Sequence, residues 1–178
     1  FGARAVGRMN DVGMAVSVSH ASPQTSLDVC DVSEKPVFDT HALAKGAGMG
    51  ARGTSDAVFE AIADTGGVVG LLSSTHLPDI ETYMEHFEYV VDLIGIDHVA
   101  FGPDVLYGDH TELLRVLSSF HGMELPESTL QSEYVDGLEN PTEAWQNIPR
   151  WLVANGYSDE EIRKVLGGNV LRALEQVW

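Results

Sequence analysis

Four short apolar runs, at residues 12–20, 36–40, 68–72 and 97–102, alternate with segments of helical periodicity, and no other feature restricts the fold as much. Runs this short, apolar and rich in valine read as buried strands, and helical segments between them argue a parallel sheet with helices on its outside. The expected class is α/β. An amphipathic stretch at 3–9 precedes the first strand, and a crossover spans 26–33. A helix at 55–65 has Thr54 or Ser55 as its N-cap and stops at Gly66 and Gly67. A longer one at 78–94 sets Ile80, Tyr83, Met84, Phe87, Val90, Val91 and Ile94 at helical spacing. Past Leu113 the pattern turns helical, with helices expected at 142–154, 158–166 and 169–177; Ser158 caps the second of these, with Glu161 three residues on. Residues 121–140 are acidic and poorly periodic, and read as an excursion or lid.

Composition narrows the function classes. With 178 residues, 44 % of them hydrophobic, the chain has one domain's length and enough apolar side chains for a core. Against 27 Asp and Glu stand only 10 Lys and Arg, a formal charge of −17. Such a surface repels phosphate backbones and anionic lipids, which argues against nucleic acid as a partner. Residues 53–114 carry no Lys or Arg at all; the ordinary meaning is a solvated helix face, the functional one a negative potential that gathers cations. The single Cys30 allows neither an intrachain disulfide nor a thiolate cluster, so any metal must be held by histidines and carboxylates. No apolar run reaches the roughly 18 residues that span a bilayer. No signal segment opens the chain, which starts at Phe1 rather than Met, so a processed product or a fragment is expected. A cytoplasmic location is the expectation.

Three residues coincide in position: His20, His41 and Asp104 each stand where an expected strand gives out into a loop. In parallel α/β barrels that edge is the catalytic face, so the three would converge on one rim. Neutral imidazole is a good zinc ligand, and rigid strand ends hold two imidazoles at coordination distance better than loops do. A histidine taken singly is more often structural; two at equivalent strand ends leave metal and structure evenly weighed on spacing alone. The other histidines get plainer readings: His76 and His110 as surface residues near the rim, His86 and His121 as solvated, His98 as a core residue or one behind a ligand. Trp145, Trp151, Trp178, Met49 and Met84 read as packing residues, and Cys30 as a buried, inert thiol.

The segments SVSHAS (17–22), PVFDTHAL (36–43), Arg52, AIADTGGVVG (61–70), LIGIDHVAFGPD (93–104) and GYSDEEIRKVLGGNVLRAL (156–174) follow one another in an order that resembles the membrane (renal) dipeptidase family. Those are zinc peptidases with a metal-dependent-hydrolase TIM barrel. The likeness runs over nearly the whole chain and is weakest in 105–140. It implies that residues 1–178 are the C-terminal half of a TIM (β/α)8 barrel, about four parallel strands with outer helices, and that 105–140 is a variable excursion. By the same resemblance His20 and His41 bind the second zinc of a two-zinc site, Arg52 holds the substrate's terminal carboxylate, and Asp104 is the catalytic aspartate. A guanidinium suits a carboxylate because its fork makes two parallel charge-assisted hydrogen bonds. A carboxyl group beside the scissile bond suits proton delivery to the leaving amine.

Departures from the family pattern shape the expectation equally. The family's opening H-x-D strand and its metal-bridging glutamate are absent, so the N-terminal half of the barrel and the remaining ligands are expected from missing sequence or a companion chain. GPDVLYGD (102–109) stands where G-S-D-F-D-G is common, and Gly53 follows Arg52 where Asn is usual. The leading expectation is zinc-dependent hydrolysis of dipeptides or related small amides, with a small peptide as substrate and a homodimer of the complete protein. The rivals are a non-catalytic half-barrel that binds a partner or ligand, and another amide hydrolase of the same superfamily.

Overall fold

The structure is a computed structural model that describes residues 2–49, 53–73, 77, 79–104, 115, 116, 118–120, 122, 138 and 144–178. Helix α1 (Gly2–Asp11) leads to β1 (Val16–Ser17), followed by α2 (Pro23–Val32), β2 (Val37–Ala42), α3 (Asp56–Asp64), β3 (Val68–Leu71), α4 (Ile80–Ile94) and β4 (Val99–Phe101). All strand pairs are parallel, in the order β1-β2-β3-β4. A sequential parallel order, each strand joined to the next through a helix, is the winding of a barrel wall. Helices α5 (Asn147–Ala154), α6 (Asp159–Arg163) and α7 (Asn169–Val177) complete the chain.

Helix starts follow from local chemistry. Ser22 accepts the Thr25 N–H ahead of α2, with Pro23 in the first turn, where its missing N–H costs nothing. Asp79 does the same for α4 through Thr82 N–H at 2.8 Å. Ser158 and Glu161 form the expected reciprocal capping box on α6. Between α6 and α7 the helical path breaks at Gly167, whose φ of 146° is glycine's territory.

Strand boundaries depart from the sequence pattern. The expected strand 12–20 shrinks to Val16–Ser17, because Gly13 turns left-handed (φ 69°) and Met14 N–H returns to Met9 O at the end of α1. Val12 and Met14 are each 53 % exposed as a result. The second strand runs past Thr40 to Ala42, so His41 lies within it rather than beyond its end. In the fourth run Ile96–His98 forms a 3₁₀ turn, and the strand is Val99–Phe101. The crossover at 26–33 is the body of α2, and the helix expected from 78 starts at Ile80. Residues 141–143, where another expected helix starts, lie outside the described residues; what is described of it is α5.

Alternate strand residues divide between two apolar clusters. Val37, Val69 and Val99 join Phe59, Ile62, Tyr83, Phe87 and Val90 from α3 and α4 in the main core. Phe38, Val68 and Ala100, on the opposite face, are covered by Ala173 and Val177 of α7. The amphipathic last helix folds back over these residues near the starts of the strands, where Arg172 donates to Gly66 O and Asp97 O. All four residues of β3 are buried, as a strand covered on both faces requires. Trp145 and Trp151 pack against the core, whereas Trp178, expected to pack, is 80 % exposed at the end of α7. Cys30 is half-buried, and burial pushes its thiol up to about 11, which makes it a poor nucleophile.

Candidate active site

The C-terminal rim of the sheet brings His20, His41 and Asp104 together. His20 Nε2 and His41 Nε2 are 2.8 Å apart, and the ring centroids 4.8 Å. Asp104 Oδ2 lies 3.9 Å from His41 Nε2. A cleft of about 260 Å³ opens between them, lined also by Asp39, Thr54 and Ser55.

Two backbone devices aim these side chains. On β2, Asp39 pairs with Val69 and Ala42 with Leu71, three steps against two, so one extra residue bulges out at Thr40 and His41. A bulge re-aims side chains next to it, and here it turns His41 toward the rim. The second device is close approach: a Cβ on Gly70 or Gly102 would collide with the Thr40 carbonyl, so only glycines let β3 and β4 carry Asp104 this near to His41.

Strain marks the same place. Among the described residues the non-glycine positions with positive φ are His20 (63°) and Asp104 (52°). Left-handed backbone costs an ordinary residue of the order of 1–2 kcal/mol, and such residues gather at functional sites. That the two fall on two of the three convergent side chains is independent support for a site here.

The donor set suits a divalent metal: two imidazoles and a carboxylate supply nitrogen and oxygen ligands. Two nitrogens on one tetrahedral zinc stand about 3.3 Å apart, so the rings need to part by only about half an ångström to admit it. Among the described residues no three His, Cys, Asp or Glu side chains form a complete metal-binding group. This rim therefore offers part of a coordination sphere.

Sequence reasoning missed Asp39. It is 3 % exposed, yet it lies on the cleft with Oδ1 accepting from Ser19 Oγ at 2.7 Å and Oδ2 from Thr54 Oγ1 at 3.4 Å. Among the described residues no Lys or Arg pairs with it. An acidic residue inside an otherwise apolar strand, PVFDT, was the available signal.

His86 is a correction. Instead of being solvated it is 3 % exposed and accepts the Ala44 N–H on Nε2 at 2.9 Å. Lying three residues after Tyr83 and four before Val90, it sits on the apolar face of α4, and burial lowers its pKa to about 4. With Tyr89, whose hydroxyl donates to Asp56 Oδ2 and abuts Gly46, it holds the start of the segment after β2. Thr54 closes that segment by pairing with Leu43 and Lys45. His98 sits at the opposite end of the sheet, Nδ1 bonded to Gly67 O at 2.9 Å, a packing role. Arg52, His76, His110, His121 and residues 105–114 lie outside the described residues, as does the side chain of Met49.

A family model for the membrane dipeptidases (Peptidase family M19) matches residues 1–114. Dipeptidase tcpJ of Claviceps purpurea (strain 20.1) is 27 % identical over 179 residues, covering 97 % of this chain and 36 % of its own length. An amidohydrolase from Pseudomonas aeruginosa superposes with a TM-score of 0.85 at 29 % identity, over 99 % of this chain and 56 % of its own. A metallo peptidase from Rhodobacter sphaeroides, liganded with a phosphinate mimic of the dipeptide L-Ala-D-Ala, superposes with a TM-score of 0.77 at 22 % identity, over 99 % and 46 %. The chain thus spans about a third of that curated relative and about half of these solved structures.

Proposed function

The chain belongs to the membrane dipeptidase family, Peptidase family M19, and from that membership we propose that the complete protein is a zinc-dependent hydrolase of dipeptides or related small amides, for which this chain supplies half of the barrel and part of the site. The observation that carries the proposal is the convergence of two imidazole nitrogens, 2.8 Å apart, on a rim shared with Asp104.

Each residue then has a task. His20 and His41 hold one of two zinc ions, the other ligands coming from outside residues 1–178. Zinc, when bound, polarises the scissile carbonyl and lowers the pKa of water to supply hydroxide. Asp104, whose side chain is 59 % exposed at the mouth of the cleft, is free to take a proton and pass it to the leaving amine. Arg52 receives the substrate's terminal carboxylate through its fork of N–H donors. The amide-hydrolase alternative has its own support, since the Pseudomonas structure above is named an amidohydrolase and the 102–109 segment departs from the usual family pattern.

The test is hydrolysis of a panel of dipeptides and small N-acyl amides by the complete zinc-loaded protein. Asp104→Asn, which tolerates left-handed backbone, is expected to lower kcat by about 10²–10⁴-fold with little change in KM. Arg52→Ala should mainly raise KM for substrates with a free carboxylate, and His41→Ala should abolish turnover and release zinc. A complete protein that hydrolyses nothing on the panel would sink the proposal in favour of a binding half-barrel.

A further inference from the structure

The hydrogen bonds behind His41 run in one direction. Asp39 is a carboxylate and can only accept, so Ser19 Oγ, 2.7 Å from Oδ1, spends its single proton there. Ser19 Oγ then has two lone pairs left to accept with, and the two shorter of its three remaining contacts fill them. It takes the Thr40 N–H at 2.8 Å and the Thr40 hydroxyl at 2.9 Å, while Ser17 Oγ approaches less closely, at 3.2 Å. With its own proton committed to Ser19, Thr40 Oγ1 must accept from His41 Nδ1, which lies 2.9 Å away. The chain of donors is thus His41 Nδ1–H to Thr40, Thr40 to Ser19, and Ser19 to Asp39.

We propose that Asp39, Ser19 and Thr40 act as positioning residues that hold His41 in the tautomer protonated on Nδ1, so that Nε2 presents its lone pair to the cleft. A metal-bound imidazole needs its other nitrogen protonated and anchored, and outer partners of this kind both select the tautomer and fix the ring. His20 is not treated alike: among the described residues its one hydrogen-bond partner is His41, and with His41 Nε2 accepting, His20 Nε2 carries the proton between them. The two imidazoles are therefore unequal. His41 is ready to ligate, whereas His20 must shift its proton to Nδ1 before it can do so. Among the described residues no Lys or Arg pairs with the buried Asp39, and the hydroxyls of Ser19 and Thr54 hold its carboxyl group instead.

The consequence for metal rests on the hydrolase reading above; the tautomer does not. Nitrogen-15 NMR of histidine side chains in the complete, metal-free protein, at a pH where imidazole is neutral, reads the tautomer directly. His41 is expected to carry its proton on Nδ1, Thr40→Val to lose that preference, and Thr40→Ser to restore it. Zinc affinity, measured by competition with a chromophoric chelator, should fall about 10–100-fold in Thr40→Val and change little in Thr40→Ser. A wild-type His41 protonated on Nε2 overturns the proposal outright, even where Thr40→Val does not fold. So does a folded Thr40→Val with unchanged tautomer and affinity. If His41 behaves as expected but no dipeptide or amide is hydrolysed, the relay stands and the hydrolase reading falls.

Discussion

His86 shows how much one buried side chain can decide. Its Nε2 accepts from Ala44, so any proton it holds is on Nδ1, a buried nitrogen with no partner among the described residues. Taking a second proton would place a charge among Tyr83, Phe87 and Val90, and that is why its pKa falls from 6.5 to about 4. In the window between those values the unfolded chain binds a proton that the folded chain refuses, so stability falls as pH falls. The contribution is complete above 6.5, declines through the window, and is lost below about 4, a total of about 3 kcal/mol. Urea midpoints across the window should show this slope, and His86→Gln, whose side-chain oxygen can accept from Ala44, should flatten it. An equal slope in the variant would mean that other groups carry the acid sensitivity.

Among the elements, β2 and its neighbours hold the site by contact rather than by hydrogen bonding alone. The bulge at Thr40 and His41 pushes the Thr40 carbonyl against Gly70 and Gly102, and the space left there is less than one methyl group. Gly102→Ala must therefore displace β4 or β2, at a cost of about 1–3 kcal/mol for overpacking. Because Asp104 follows two residues later, the same shift should lower the hydrolysis rate proposed for the complete protein as well as its melting temperature. Gly7→Ala, on α1 where nothing stands within 4 Å of the added carbon, is the control: it should leave the rate unchanged and, as a change from Gly to Ala inside a helix, raise rather than lower the melting temperature. A Gly102→Ala protein with wild-type melting would show that the rim is softer than this geometry implies.

For the whole molecule, the open question is the sheet's edges. Strand β1 pairs with β2 alone and β4 with β3 alone among the described residues, so each has one unpaired side. Helix α7 already covers Phe38, Val68 and Ala100, which removes part of the reason for association that an exposed inner face would supply. The unpaired edges are still templates for another strand, and a charge of −17 spread over the surface does not satisfy them. A polypeptide of residues 1–178 made by itself is expected to self-associate, to bind zinc weakly and to hydrolyse no dipeptide, since two imidazoles leave half of a tetrahedral sphere unfilled. Light scattering after size exclusion, with zinc content and a dipeptide assay, checks all three. A stable active monomer would show that the site is complete without further strands.

The α/β class, the parallel alternation and the helices at α3, α4, α6 and α7 were legible because each is written in local periodicity and caps, such as the apolar stripe of α4 and the Ser158–Glu161 box. The convergence of His20, His41 and Asp104 on one rim was legible from where the expected strands give out, although His41 lies inside β2 and β1 ends three residues before His20. What the linear pattern does not contain is anything set by a neighbour distant in the chain. The bulge that turns His41 is visible only against β3, and the burial of Asp39 only against Ser19 and Thr54. His86 is buried because the segment after β2 lies over it, and Phe38, Val68 and Ala100 are buried because α7 returns to them. Periodicity records which face a residue turns to. Tertiary structure alone decides what meets that face, and so whether a histidine there is solvated, a packing residue or a ligand.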